Sequence, residues 1–192
     1  MPHIIGRARR ASETYPEPPR RGGGGGPFVR MGFGNSIEEA TYNESDFVPV
    51  MRANDENLTV PLTGFTPGNI ILIAYSMAGH DAISSGPLGL GFFVKATVDL
   101  DGGGQKAIVP SNIGFRAVPS DASDTKVEDY GFGWNTFYKP PALSVTQTPV
   151  IGLLISSVGR DPVQIVAGGA LIWVAEIDPA FVTQNPDTSL EP

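Results

Sequence analysis

Between Phe92 and Leu100 apolar and polar residues alternate along the chain. Every second position from Phe92 onwards is apolar, and the positions between them include Lys95, Thr97 and Asp99. Because successive side chains of a β-strand point to opposite faces of the sheet, this period of two predicts a strand with one face in a core and the other in water.

Apolar or alternating segments of similar length recur along the rest of the chain. Pro67-Gly68, Asp101–Gly104 and Gly159–Pro162 are typical turn sequences between them. No segment has the period of a helix longer than two turns. The segments are 57–62, 70–79, 92–100, 105–110, 113–118, 132–138, 150–158, 163–169 and 170–178. Eight or nine short strands predict an all-β fold, a single antiparallel β-sandwich, and favour an eight-stranded jelly roll.

Three of the segments, 70–78, 150–158 and 170–177, are apolar at almost every position. In a two-layer sandwich the outer face of each sheet meets water, so strands that are apolar on both faces predict that the outer face is covered as well. The protein's own N-terminal segment or a neighbouring subunit would supply this cover, because bare strands of this kind promote aggregation.

Composition divides the chain into four regions. These are an extended docking arm (1–35), a linker (36–55), the β-sandwich domain (56–179) and a C-terminal tail (180–192). The arm is rich in Arg, Gly and Pro and lacks the apolar residues that would order it alone. In the linker, Ser36 and Glu39 have the spacing of a capping box, which allows a short helix.

Charge is distributed unevenly between the arm and the body. Residues 1–30 hold six arginines and two glutamates, a net charge of +4, whereas residues 31–192 carry a net charge of −11. The arm is therefore expected to bind an acidic protein surface, such as that of another copy of the chain. We predict that its partner-binding residues are Arg7, Arg9, Arg10, Arg20, Arg21, Phe28, Arg30 and Phe33. The arginines lack lysine runs and interleaved aromatic residues, a pattern that argues against a nucleic-acid partner.

The five consecutive glycines Gly22–Gly26 raise the question of a phosphate-binding loop. Such a loop follows a strand, precedes a helix and needs glycines at set positions. Here no strand precedes the glycines, no Lys-Ser/Thr pair follows them, and Pro27 interrupts the segment. We interpret the glycines as a hinge in the docking arm.

The sequence offers little for catalysis or metal binding. The chain contains no cysteine, which excludes disulfides, thiolate metal sites and a cysteine nucleophile. His80-Asp81 resembles part of a catalytic dyad but is expected in an ordinary loop, and Ser84 and Ser85 do not belong to a GxSxG elbow. Asp121, Asp124, Glu128 and Asp129 lack the spacing of a calcium loop, which favours a solvated loop. We predict a protein without enzymatic activity, cofactor or metal.

The N-terminal residues include arginines but no apolar core of a secretory signal, and no apolar run reaches the roughly 18 residues of a membrane span. Both features, with the absence of cysteine, favour assembly in a reducing cytosol and no membrane partner.

Aromatic residues cluster in one predicted strand, at Tyr130, Phe132, Trp134, Phe137 and Tyr138. Alternation places Phe132, Trp134 and Tyr138 on one face, which is typical of a core. An exposed aromatic face would instead suit sugar rings, so a receptor- or carbohydrate-binding sandwich of a tail or surface fibre is the alternative function. Trp173, in the apolar segment 170–177, is assigned to the core.

An Arg- and Gly-containing arm, a cysteine-free β-sandwich rich in Gly and Pro, and a patternless tail after "GGALIWVAEIDP" form a recognisable layout. In this layout the chain resembles small structural proteins of tailed-bacteriophage virions, such as capsid decoration or head-fibre proteins with jelly-roll bodies. The resemblance carries over no individual residue. It implies a homotrimer in the virion, assembled in the host cytoplasm, with its arm laid across the major capsid protein or another virion protein.

Overall fold

The computed structural model describes residues 26–43, 45–81, 90–109, 113–117, 130–141, 147–157, 162–183 and 185–190. These residues form fourteen strands and one 3-10 turn at Pro179–Phe181, and none of them is in an α-helix. The strands are β1 (Phe28–Asn35), β2 (Ala40–Tyr42), β3 (Val48–Pro49), β4 (Met51–Ala53), β5 (Glu56–Asn57), β6 (Thr59–Pro61), β7 (Ile70–Asp81), β8 (Leu90–Asp99), β9 (Lys106–Val109), β10 (Ile113–Ala117), β11 (Tyr130–Tyr138), β12 (Val150–Ser157), β13 (Val163–Ile177) and β14 (Ser189–Leu190). The predicted all-β class is confirmed.

The longest strands form an antiparallel sheet that we call sheet A. Its order is β1-β13-β7-β11, and β2 pairs with the first residues of β13. β1 and β2 therefore follow one another along the same side of β13. Beyond β11, the backbone of Asp187 exchanges hydrogen bonds of 2.8 Å with Phe137 and Lys139.

The second sheet, sheet B, is also antiparallel and has the order β14-β9-β8-β12-β3. β10 pairs with β8 on the same side as β9, and β6 pairs with β12 on the same side as β3. The chain passes from sheet B to sheet A and back through β6, β7 and β8, and again crosses between the sheets through β11, β12 and β13. Two antiparallel sheets joined in this way form the β-sandwich that the sequence predicts.

Side chains from the facing sides of both sheets form one hydrophobic core. Sheet A contributes Ile73 and Ile172, and sheet B contributes Val94 and Ile155, all of them fully buried. The alternation that predicts β8 is confirmed, because its apolar positions from Phe92 to Val98 are buried. The same strand has one feature that alternation misses, since Thr97 on its opposite face is buried as well.

The predicted division between arm and linker differs from the structure. Phe28–Asn35 is a strand of sheet A and not part of an extended arm. The short helix expected after Ser36 is wrong, because Ala40–Tyr42 is a strand. Ser36 is buried and its hydroxyl accepts a hydrogen bond from the Ala170 backbone N–H at 3.1 Å. The side chain that would cap a helix thus binds the backbone of β13.

Two segments that the sequence separates, 163–169 and 170–178, form the single strand β13. A bulge interrupts its pairing with β7 between Ile165 and Ala170. Gly168 lies in this bulge with φ of 76°, a conformation that favours glycine. The C-terminal residues also differ from a patternless tail, since β14 pairs with β9 and Asp187 joins the edge of β11.

Candidate interface on the outer face of sheet A

The residues predicted to bind a partner fall into two groups. Arg7, Arg9, Arg10, Arg20 and Arg21 lie outside the described residues. Phe28, Arg30 and Phe33 lie on β1, which pairs with β13. Their role as partner contacts stays a prediction, but their positions in the sheet can be followed residue by residue.

Register divides the residues of β1 between the two faces of sheet A. Directly opposed residues of an antiparallel pair share a face. Gly32 and Gly34 oppose the core residues Val174 and Ile172, so they face inward, whereas Met31 and Phe33 oppose Ala175 and Trp173 and face outward. Arg30 opposes Glu176 on the inner face.

The inner glycines of β1 allow a close approach to sheet B. A Cβ atom on Gly32 would lie 2.4 Å from Cγ1 of Val60, and one on Gly34 would lie 3.1 Å from side-chain atoms of Leu58 and Val60. Since β1 carries no side chain at these two positions, it packs directly over β6. Gly32 and Gly34, which the sequence assigns to a docking arm, are thus required by packing against sheet B.

Arg30 anchors β1 through an ion pair at the end of the sandwich. Its guanidinium lies 2.5 Å from Oε2 of Glu176, a residue with no exposed surface. The other carboxylate oxygen, Oε1, accepts hydrogen bonds from the Thr66 backbone N–H at 3.0 Å and from the Asn69 side chain at 2.6 Å. One buried carboxylate therefore joins β1, β13 and the loop that precedes β7.

Burial of Glu176 acts against its negative charge and by itself raises the pKa of this carboxyl. The hydrogen bonds from Arg30, Thr66 and Asn69 act in the opposite direction and together exceed the effect of burial, so the pKa of Glu176 is lowered. The carboxylate is the form that the fold requires. Arg30 consequently has a partner within the chain.

Most outward positions of sheet A are apolar, and we call the surface that they form the outer apolar face. Its polar residues are Asn35, Ser76 and Asn135. Met31 and Phe33 are 63% and 62% exposed, and Leu171 beside them is 36% exposed. The face consists of Phe28, Met31, Phe33, Leu72, Ala74, Phe137, Leu171, Trp173, Ala175 and Ile177. At the outward positions of β13 from Leu171 to Ile177, and at the outward positions opposite them on β1, β7 and β11, no residue is charged.

A cleft lies at one end of the outer apolar face. Its volume is about 320 Å³, and it is lined by Pro27, Phe28, Leu72, Phe137, Ile177, Phe181, Val182 and Thr183. The 3-10 turn after β13 carries Phe181, which is 58% exposed, to the rim of the cleft. The ring of Phe28 meets that of Trp173 edge to face, with 5.7 Å between centroids. The cleft is lined by apolar side chains and by one hydroxyl-bearing residue.

A second cleft of about 330 Å³ is polar and acidic. Glu38, Glu39 and Asp55 are among its lining residues. Glu38 accepts a hydrogen bond from the Asn54 backbone N–H at 2.9 Å, and Glu39 accepts one from Gln164. Two of the three carboxylates are therefore occupied by polar groups of the chain itself.

The other sequence candidates do not form a site among the described residues. His80 and Asp81 end strand β7, whereas the sequence predicts a loop there. Ser84, Ser85 and the carboxylates between Asp121 and Asp129 lie outside the described residues. Within the described ranges, no group of three or more His, Asp or Glu side chains is placed to hold a metal ion.

The aromatic strand is only partly a core strand. Tyr138 is fully buried, and burial raises the pKa of its hydroxyl to about 12. Trp134 lies on the same side of β11 but is 47% exposed, and Phe137 belongs to the outer apolar face. Trp173 differs from its prediction, because it faces outward and is only partly buried.

Sequence reasoning predicts a covered outer face but does not identify its residues. Leu171, Trp173 and Phe181 are not predicted as interface residues. An uninterrupted apolar segment marks a strand with two apolar faces, but only the register shows which alternate residues point outward. The apolar run 170–177 is the signal that indicates the face, and the pairing with β1 and β7 resolves it.

Comparison with known proteins gives no family. No protein-family model matches the chain, and no curated protein matches it significantly. In the part of the chain that the structure describes, no helix is long and apolar enough to cross a membrane.

Proposed function

We propose that this protein is a non-enzymatic structural protein of a phage particle, a decoration or cement protein that bridges and stabilises capsid subunits. The observation that carries the proposal is the uncharged outer apolar face of sheet A, which adjoins the point where the basic N-terminal residues leave β1. A surface of this kind is suited to a protein partner, since large exposed apolar patches mark interaction sites.

The physical role of such a protein is to add buried surface across a seam. A capsid subunit boundary gains stability when a third chain contacts both sides of it, because the boundary cannot open without exposing that surface. Residues 1–25, with a net charge of +3, would order on the acidic surface of the major capsid protein. Gly22–Gly26 would act as the hinge between this arm and β1.

The strand order supports the proposal at the level of fold. The alternation of strands between sheets A and B is compatible with an eight-stranded jelly roll, a topology that recurs among viral capsid and lectin domains. Fold alone does not establish function, so this support is by analogy. We further propose that the protein is a homotrimer and that it is located in the virion.

Sedimentation of native particles tests this role. An antibody against the purified chain should detect it in density-gradient fractions of virus particles from the source that encodes it. A variant lacking residues 1–25, which leaves β1 intact, should fold with an unchanged circular-dichroism spectrum but fail to sediment with the particles. Absence of the full-length chain from purified particles would overturn the proposal.

A receptor- or carbohydrate-binding function is the second candidate, and the exposure of Trp134 favours it. An aromatic side chain that is half-exposed on the last strand of a sheet can stack on a sugar ring, because its apolar face remains accessible. Binding to a glycan array that disappears in Trp134→Ala and persists in Phe33→Ala would support this function over the structural one.

A further inference from the structure

We propose that the outer apolar face of sheet A is an interface between two copies of this chain. The inference rests on the proposed structural function and assigns this face to the contact between copies in the homotrimer, which leaves residues 1–25 as the segment that contacts the capsid. It is tested on the purified chain, so that its failure can be distinguished from failure of the particle role.

The distribution of charge restricts two copies to contact through this face. The chain has a net charge of −7, and its body after residue 30 carries −11, so two bodies repel each other at long range. Contact through most of the surface would bring carboxylates together. The outer apolar face is free of charged residues between Leu171 and Ile177 and opposite them, so two copies can meet there without burying an unpaired carboxylate.

The outer apolar face has both a protruding part and a cleft. Met31 and Phe33 protrude at the β1 edge, where almost two thirds of each side chain is exposed. The same face carries the 320 Å³ cleft between Phe28, Phe137 and Phe181. The protruding apolar side chains of one copy can enter the apolar cleft of the next copy, which is the kind of contact that a closed ring of identical chains, such as a trimer, requires.

The protein's own N-terminal residues are poorly suited to cover this face. The 25 residues before Gly26 contain five arginines and few large apolar side chains, chiefly Ile4, Ile5 and Tyr15. Laying arginines on an uncharged apolar surface would desolvate them without a partner. The net charge of +3 on residues 1–25 is instead complementary to the acidic body of a second copy.

The area of the face predicts weak but specific association. Four strands about 4.8 Å apart and about 26 Å long have an outline of roughly 500 Å². The exposed apolar part is smaller, because Ala175 and Ile177 are buried within the chain. Two copies that meet over this outline bury at most about 1,000 Å², the lower limit for a specific interface. The association should therefore depend on concentration and should weaken when residues 1–25 are removed.

The experiment measures the molar mass of the full-length chain by size-exclusion chromatography with light scattering and by sedimentation equilibrium over a dilution series. We expect a concentration-dependent assembly larger than a monomer. Phe33→Glu should weaken this self-association at least about 30-fold, because it places a carboxylate in an apolar contact. Met31→Glu serves as a second variant in case Phe33→Glu is misfolded by circular dichroism.

Val109→Glu is the matched control. Val109 is also an exposed apolar residue on a strand, but it belongs to β9 of sheet B. Its substitution should leave the self-association unchanged. A chain that stays monomeric at every concentration would overturn the inference, even if a different protein binds to it. The same holds for an assembly that Phe33→Glu and Met31→Glu, both folded, leave intact.

Discussion

Sheets A and B bury their inner faces in one core, but their outer faces differ in how far the chain itself covers them. Over sheet B, the Ser156 hydroxyl donates a hydrogen bond of 2.7 Å to the Ser45 carbonyl oxygen, and Gln105 lies between the Thr97 hydroxyl and the Val150 carbonyl oxygen. The Lys95 ammonium lies 4.2 Å from the centre of the Phe47 ring. The chain thus covers this face with its own polar and aromatic groups. Sheet A presents aromatic and aliphatic side chains instead.

The difference between the two outer faces shows that a strand with two apolar faces has two possible explanations. In sheet B the cover comes from residues close to the strands in space, and it explains how an apolar strand such as β12 tolerates an outer position like Ser156. In sheet A, Met31, Phe33 and Leu171 have no equivalent cover from described residues. A strand that is apolar on both faces can therefore indicate an internal cover or an interface, and the two sheets exemplify each case.

The largest expected effect concerns the anchor that holds β1 in sheet A. Arg30→Met removes the cation from the fully buried Glu176 and leaves its charge with only Thr66 and Asn69 as partners. We expect a loss of about 2–3 kcal/mol in the free energy of unfolding, less than for a fully buried pair because Arg30 is itself partly exposed. Urea denaturation measures this loss.

Arg52→Met is the control for this comparison. The Arg52–Glu56 pair has a similar distance of 2.8 Å, but both side chains are largely exposed on the β4–β5 hairpin. Its loss should change the unfolding free energy by no more than about 0.5 kcal/mol. Equal effects of the two substitutions would show that Glu176 is not dependent on Arg30.

The second effect concerns the packing of β1 against sheet B. Gly32→Ala places a Cβ atom 2.4 Å from Val60, whose branched and buried side chain cannot turn away. We expect destabilisation of about 1–3 kcal/mol. Gly133→Ala on β11 is the control, since its nearest atoms would lie 3.4 Å away or further. Thermal unfolding of both variants gives the comparison, and a harmless Gly32→Ala would mean that β1 does not pack over β6.

A third substitution pair tests the two outer faces directly. Phe47→Ala removes part of the cover of sheet B and should destabilise the chain by about 1 kcal/mol, since Phe47 is partly buried and contacts Lys95. Phe33→Ala should change the stability of the monomer by less than about 0.5 kcal/mol, because the side chain is mostly exposed. Both are measured by denaturation at high dilution. A larger loss from Phe33→Ala would show that the outer apolar face contributes to the fold itself.

Much of the fold follows from the sequence because its signals are local. Alternation locates β8, and Pro67-Gly68 and Asp101–Gly104 mark turns that the structure retains. The assignment of Phe28–Asn35 to an arm fails because the glycines that indicate flexibility are required by contacts with Val60, more than twenty residues away. Arg30 was predicted from charge alone, and its partner Glu176 is 146 residues further along the chain. Contacts between residues this far apart depend on strand register, which cannot be inferred from composition.

The smallest effect is a difference in acid sensitivity between the two sheets. Since the pKa of Glu176 is lowered on folding, its contribution to stability is present above the ordinary value of 4.5 and is lost as the pH falls below it towards the folded value. The contacts over sheet B are made by the Ser156 hydroxyl, the Gln105 amide and the Lys95 ammonium, and they involve no carboxyl group. Acidification should therefore loosen β1 before β12.

Hydrogen exchange measured by residue as the pH is lowered through 4.5 tests this order, after correction for the intrinsic pH dependence of exchange. Protection of the β1 amides should fall earlier than protection of the β12 amides. Glu176→Gln should be less stable than the natural chain at neutral pH, and the gap should narrow in acid, because the amide cannot form the ion pair with Arg30 at any pH. If β1 and β12 lose protection together, the Arg30–Glu176 ion pair does not determine the stability of β1. The outer apolar face would then not depend on this ion pair.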